Sequence, residues 1–124
     1  MPKQVANRRE DKRQVLPKSL SAEIEFEGPD GGRHRLPLTE VSAVGAAFTM
    51  PYRIAGIETG AMLPDASIRL GQLVIQGNLA VLHTTRLSGS AYSCGVQFYP
   101  KSEEDRNQLS TLVSRLETLL HLSS

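Results

Sequence analysis

The chain has 124 residues, of which 40% are hydrophobic and 22% are charged, and its formal net charge is +1. This length suits one domain with its own core, and the composition excludes a disordered chain. The sequence contains no apolar run long enough to span a membrane and no apolar segment of a secretion signal, so we expect a cytoplasmic protein.

The first 17 residues form a predicted basic arm that precedes the folded domain. They show no apolar periodicity and end at Pro17. Residues 1–18 contain six Lys or Arg and two Asp or Glu, a charge of +4, whereas the rest of the chain has a charge of −3. A basic arm suits an anionic ligand, and an acidic body argues against broad nucleic-acid binding. We therefore predict an arm at 1–17 and one domain at 18–124.

Short segments of alternating apolar and polar residues follow the arm. The alternation from Leu20 to Glu27 is typical of a half-exposed strand. Turns rich in Gly, Pro and Ser separate most of the further predicted strands, which lie at 33–41, 46–50, 66–70, 73–83 and 91–99, and residues 51–64 are expected to form a connection. Short strands at this spacing predict a small antiparallel barrel or sandwich, and closure into a barrel would remove exposed sheet edges.

The last segment changes to a helical period. Ser102 is a suitable N-cap, and the acidic residues at 103–105 favour the positive end of a helix dipole. An apolar stripe with helical spacing follows, made of Leu109, Leu112, Val113, Leu116, Leu119 and Leu120. The pattern predicts a helix at about 102–121. The stripe either packs across the barrel mouth or forms a dimer seam, so we expect a monomer or a weak dimer.

The basic arm contains a pair of arginines suited to a nucleotide. Arg9 and Arg13 lie four residues apart, and Arg8 precedes them directly. The planar, forked guanidinium group matches phosphate geometry, and it can also meet the O6 and N7 acceptors of guanine. Arg9 and Arg13 are therefore candidate ligand contacts. For Arg8, a third contact and a solvent-exposed role both stay open.

A second candidate motif, Glu40-Val41-Ser42-Ala43-Val44-Gly45, follows a predicted strand. The carboxylate of Glu40 can accept hydrogen bonds from the N–H edge of guanine. Ser42 is two residues further on, so we expect its side chain on the same strand face, although its hydroxyl can also cap the turn. Gly45 allows the backbone to turn sharply or to approach a ligand closely. Phosphate and guanine contacts together indicate a guanine nucleotide.

The two motifs, in this order, resemble those of the PilZ domain, the bacterial receptor module for cyclic di-GMP. The family has RRxxxR followed by Asp or Asn-x-Ser-x-x-Gly, and Glu40 stands here at the acidic position. The segment Cys94-Gly95-Val96-Gln97-Phe98 and the terminal helix extend the resemblance to about residue 120. The resemblance implies a six-stranded antiparallel β-barrel with a C-terminal helix. It also implies a receptor that binds cyclic di-GMP and shows a changed surface to a protein partner, with ligand contacts from Arg8, Arg9, Arg13, Glu40, Ser42 and Gly45.

Two alternative functions stay open. Glu40 is compatible with a PilZ-like protein–protein adaptor that has lost nucleotide binding. A basic-armed barrel that binds single-stranded nucleic acid is less favoured, because 5% aromatic residues offer few stacking surfaces. His34, His83 and His121 are isolated and Cys94 has the setting of a buried strand residue, so the sequence predicts no metal site and no enzyme activity.

Overall fold

A computed structural model of the protein describes residues 13–123. The predicted arm up to residue 12, including Arg8 and Arg9, lies outside the described residues. Seven strands and one α-helix follow in chain order, with a short 3-10 turn at Lys18–Leu20. The strands are β1 Gln14–Val15, β2 Glu23–Glu27, β3 Arg33–Val41, β4 Gly45–Met50, β5 Met62–Leu70, β6 Leu73–Arg86 and β7 Tyr92–Pro100, and the helix is α1 Glu103–Ser123.

The strands form a closed antiparallel sheet. Their order is β1-β3-β2-β5-β6-β7-β4, and a further pairing of β3 with β4 closes the ring. Strands β2 to β7 therefore make a six-stranded antiparallel barrel, which confirms the predicted fold class. The two-residue strand β1 adds to the end of β3, where Gln14 pairs with Val41 and Val15 with Glu40.

The barrel core follows from the alternation of the strands. Along β2, Ile24 and Phe26 are fully buried, and the Glu residues that alternate with them, at 23, 25 and 27, face outward. The Phe26 and Phe48 rings meet at the centre with their centroids 5.4 Å apart. Burial of such side chains is the main stabilising contribution, roughly 1.5–3 kcal/mol for each large apolar residue.

Helix α1 packs its apolar stripe against the barrel. Leu109, Leu112 and Leu116 are at most 6% exposed and join the core, as expected for a helix that covers one end of the barrel, whereas Leu119 is 48% exposed. At the start of the helix, Ser102 Oγ accepts a hydrogen bond from Asp105 N at 3.1 Å. Within residues 13–123, no helix is both long and apolar enough to cross a membrane.

The boundary of the predicted arm differs from the structure. The arm was expected to extend to residue 17, but Gln14 and Val15 pair with β3, and Leu16 is only 8% exposed. Leu16 N also donates a hydrogen bond to Thr39 O at 2.9 Å. The folded part of the chain therefore begins by residue 14. The adjacent apolar residues Val15 and Leu16 before Pro17 do not alternate with polar residues, so they do not reveal a strand by their period.

The connection predicted at 51–64 also ends earlier than expected, because β5 begins at Met62. A register shift between Leu63 and Ala66 interrupts its pairing with β6, and Asp65 has a positive φ of 55°. Because of this irregularity, apolar and polar residues do not alternate regularly in the first half of the strand, and the sequence pattern did not predict it. It also accommodates Pro64, since proline in a sheet is found at edges and bulges.

Candidate functional site

Arg13 and Glu40 meet at the junction of β1 and β3. Strand β1 pairs antiparallel with the last two residues of β3, so the residue just before β1 lies beside the end of β3. Arg13 Nη1 is 3.6 Å from Glu40 Oε1, and the two side chains are 33% and 37% exposed. A half-exposed ion pair of this length contributes at most about 1 kcal/mol to stability. The pair therefore orients a guanidinium group at the surface more than it stabilises the fold.

A β-bulge turns Glu40 toward the outside of the barrel. Leu36 and Leu38 face the core, and uninterrupted alternation would bury residue 40 as well. The pairing with β4 shifts by one residue between Leu38 and Glu40, so that Glu40 faces outward and Val41 becomes fully buried. Bulges commonly redirect a side chain in this way. The exposed carboxylate is thus a result of the backbone geometry.

Ser42 lies inside the turn that follows β3. It is fully buried, and its Oγ accepts hydrogen bonds from Val44 N at 3.2 Å and Gly45 N at 3.0 Å. Ser42 N donates to Gly45 O at 2.8 Å, which closes the turn. The expectation that Ser42 shares the exposed face of Glu40 is therefore wrong. The turn-capping alternative describes its position, because the strand ends at Val41 and the period of two stops there.

Gly45 allows two strands to approach each other closely. It pairs with Gln97 of β7, and a Cβ atom added to it would lie 2.6 Å from the carbonyl oxygen of Val96. That distance is shorter than van der Waals contact, and the obstacle is backbone that cannot move aside. Gly45 is therefore needed for the close packing of β4 against β7. The structure brings Arg13, Glu40 and the Ser42–Gly45 turn together at one end of β3, and we call this group of residues the corner.

The other arginines of the barrel wall are engaged elsewhere. The carboxylate of Glu25 on β2 accepts hydrogen bonds from three arginines. Arg33 Nε donates to Oε2 at 3.0 Å, and Arg69 Nε and Arg35 Nη2 donate to Oε1 at 2.8 Å and 3.4 Å. The hydrogen bond from Arg33 is the largest cause of a lowered pKa of Glu25, and Arg69 lowers it further. Arg13 differs from these arginines because, among the described residues, its carboxylate partner is Glu40 and not Glu25.

A large groove of the described part lies away from this corner. This groove of about 830 Å³ runs between α1 and one end of the barrel and is lined mainly by leucines such as Leu70, Leu73 and Leu112. None of Arg13, Glu40, Ser42 and Gly45, the predicted site residues that the structure describes, lines it. Among the described residues, no group of three or more His, Cys, Asp or Glu side chains is arranged to hold a metal ion.

Outward-facing small residues adjoin Glu40, and the sequence analysis did not predict either of them as a site residue. Ala47 pairs with Glu40 across β3 and β4, and Gly95 pairs with Ala47 across β4 and β7. Ala47 is only 6% exposed, and Gly95 is also buried. Only the pairing of the strands reveals these neighbours of Glu40, because 48 residues separate Ala47 from Gly95 in the chain.

Comparisons with known proteins support the architecture. No protein-family model and no curated protein matches the sequence. Among solved structures, MrkH from K. pneumoniae in complex with c-di-GMP matches with a TM-score of 0.81 and 17% identity, over 90% of this chain and 53% of MrkH. The PilZ domain of YcgR from Escherichia coli, also with c-di-GMP, matches with a TM-score of 0.74 and 16% identity, over 90% of this chain and 92% of that domain.

A third match is MotI/DgrA, an inhibitor of motility from Bacillus subtilis, with a TM-score of 0.68 and 14% identity. It covers 86% of this chain and 49% of MotI/DgrA. The chain thus spans about half the length of MrkH and of MotI/DgrA, but nearly all of the isolated YcgR domain. The shared part is the barrel with its C-terminal helix, so this chain has the fold of a PilZ domain.

Proposed function

We propose that this domain is a non-catalytic receptor for cyclic di-GMP that acts in the cytoplasm. The observation that carries the proposal is the meeting of Arg13, the second arginine of RxxxR, with Glu40, the first residue of the acidic-x-Ser-x-x-Gly turn, at an exposed corner of the barrel. The fold adds support, because structures of MrkH and of the YcgR PilZ domain contain c-di-GMP.

The corner offers complementary groups to a guanine nucleotide. The guanidinium of Arg13 has more N–H donors than its contact with Glu40 occupies, and such donors suit phosphate oxygens. Glu40 can accept hydrogen bonds from the N1–H and N2–H₂ groups of guanine. Ser42 and Gly45 hold the turn that positions Glu40. Arg8 and Arg9 are proposed as further contacts from the arm. Contact of the arm with the ligand would change the surface that a protein partner meets.

A protein–protein adaptor without nucleotide binding is the second candidate. The Arg13–Glu40 ion pair favours it, because each side chain already has a partner of opposite charge in the free protein. Nucleotide binding to Arg13 would have to compete with a contact that is half exposed and therefore weak. Binding of nucleotide separates the two candidates.

Isothermal titration calorimetry of the purified protein tests the proposal. We expect heat with cyclic di-GMP, but none with GTP or a short oligonucleotide. The oligonucleotide matters because the similar MrkH is a c-di-GMP-dependent transcription regulatory factor. Arg13→Ala should weaken binding by roughly 10- to 100-fold, the loss expected for one charge-assisted hydrogen bond. Arg106→Ala, which removes an exposed arginine of α1, is the matched control. Absence of cyclic di-GMP binding by the parent protein would reject the receptor and favour the adaptor.

A further inference from the structure

A row of residues crosses the outer wall of the barrel from Glu40 to His83. Cross-strand pairs link Glu40 with Ala47, Ala47 with Gly95, and Gly95 with His83. Four adjacent strands, β3, β4, β7 and β6, each contribute one residue. With neighbouring strands about 4.8 Å apart, the row extends for about 14 Å. This length accommodates a purine base together with part of a sugar–phosphate chain.

Both ends of the row face outward because of bulges. One register shift precedes Glu40 on β3, and another lies between Val81 and His83 on β6. Val81 is 2% exposed, so strict alternation would direct His83 inward as well. The shift instead pairs His83 with the outward position of Gly95. Two independent irregularities therefore direct a carboxylate and an imidazole to the same face of the barrel.

The imidazole of His83 covers Gly95. A Cβ atom at position 95 would lie 2.4 Å from His83 Nε2 and 2.6 Å from Cε1, so the ring occupies the space that a side chain would fill. The ring therefore leans from β6 across β7, in the direction of β4. We name Ala47 and Gly95 the small-residue floor, because no large side chain projects from the outer surface of the barrel at these two positions between Glu40 and the ring.

His83 differs from His34 in having no hydrogen-bond or ion-pair partner among the described residues. His34 Nε2 contacts Asp30 Oδ1 at 3.1 Å, and its ring lies 5.6 Å from that of Phe26. His34 is therefore held by local contacts that explain its position. His83 is exposed, and the fold does not use its polar atoms. The sequence alone does not distinguish the two residues, since both are isolated histidines.

We propose that His83 is a ligand-positioning residue whose ring stacks on one guanine base of the nucleotide above the small-residue floor. The inference rests on the proposed function, since it assigns a further contact to that same ligand. Planar side chains bind bases by stacking because every base offers a π-face. The floor lets the base approach the barrel, while Arg13 and Glu40 hold the other end of the row.

Calorimetry with cyclic di-GMP tests this role through three variants. His83→Ala should weaken binding by roughly 5- to 100-fold, the range measured for loss of one stacked base. His83→Phe should keep affinity within about threefold of the parent, because it retains a planar ring. Thr85→Ala is the matched control, since Thr85 is the next outward-facing residue of β6 and is exposed. Its affinity should equal that of the parent.

The outcomes separate the inference from the proposed function. If the parent binds cyclic di-GMP and His83→Ala binds equally well, the stacking role is overturned and the receptor function stands. Equal losses in His83→Ala and His83→Phe also overturn stacking, since a ring alone would then not suffice. If the parent does not bind, the proposed function and this inference both fail. Thermal unfolding of each variant should stay within a few degrees of the parent, because surface substitutions change stability little.

Discussion

The role of Ser42 in the turn can be tested separately from ligand binding. In the Ser42→Ala variant, the hydroxyl that accepts hydrogen bonds from Val44 N and Gly45 N is lost. Val44 is exposed, so water can replace its bond, whereas Gly45 is buried and its N–H group is left without an acceptor. A buried unsatisfied donor costs about 1–3 kcal/mol. We expect the free energy of unfolding to fall by this amount.

The expected shift in melting temperature follows from the size of the protein. An unfolding entropy of about 2.1 cal/mol/K per residue gives about 0.26 kcal/mol/K for 124 residues. The loss of 1–3 kcal/mol then lowers Tm by about 4–12 °C. Circular dichroism during heating measures the shift, and urea unfolding gives the free energy independently.

Ser88→Ala provides a matched control for Ser42→Ala. Ser88 is exposed in the turn between β6 and β7. Its substitution should change the free energy of unfolding by no more than about 0.5 kcal/mol. If Ser42→Ala melts within a degree of the parent, the hydroxyl does not hold the turn, and the assignment of Ser42 to the fold is refuted. A direct ligand contact by Ser42 would then regain support.

Two further predictions concern titratable groups. Burial raises the pKa of the Cys94 thiol to about 12. Cys94 should therefore resist Ellman's reagent at about pH 8 in the folded protein and react once guanidinium unfolds it. Rapid reaction of the folded protein would contradict its burial. Hydrogen bonds from Ser102 and then from Gln76 N lower the pKa of Asp105 below its usual 3.8. The ionised carboxylate thus stabilises the fold above about pH 4, and this contribution is lost as the pH falls through the lowered pKa. Urea midpoints of the parent and Asp105→Asn should therefore differ at neutral pH and converge in acid; a constant difference would contradict this linkage.

Regular strands could be predicted from the sequence, whereas bulges could not. The bounds of β3 agree with the predicted 33–41, because the strand is limited by glycines before it and by the turn after it. The bulge near Thr39 has no such marker, since it inserts one residue into a strand of ordinary composition. The outward position of Glu40 therefore depends on a bulge that the sequence does not reveal. The shared face expected for Ser42 was wrong for a different reason, because the strand ends at Val41, before Ser42.

Pairing between distant strands accounts for the other unpredicted features. His83 and Gly95 are twelve residues apart, and neither belongs to the two predicted ligand-binding motifs. Their contact depends on the register of β6 with β7, and that register includes a shift at Leu82. A one-residue change of register would move every side chain of the strand to the opposite face. Composition and local periodicity do not contain this information.

The acidic-x-Ser-x-x-Gly motif combines two physical tasks at fixed spacing. Glu40 faces solvent beside Arg13, whereas Ser42 and Gly45 are buried and shape the backbone that positions it. Substitution of Ser42 or Gly45 would therefore displace Glu40 and unfold the turn, and ligand binding would weaken even without any direct contact. Substitution of Glu40 or Arg13 should leave stability nearly unchanged, because their ion pair is half exposed. A residue can be identified as a direct ligand contact only if its substitution lowers the affinity and leaves the free energy of unfolding unchanged. Among the described residues of the two motifs, Arg13 and Glu40 are the positions at which this test can be made.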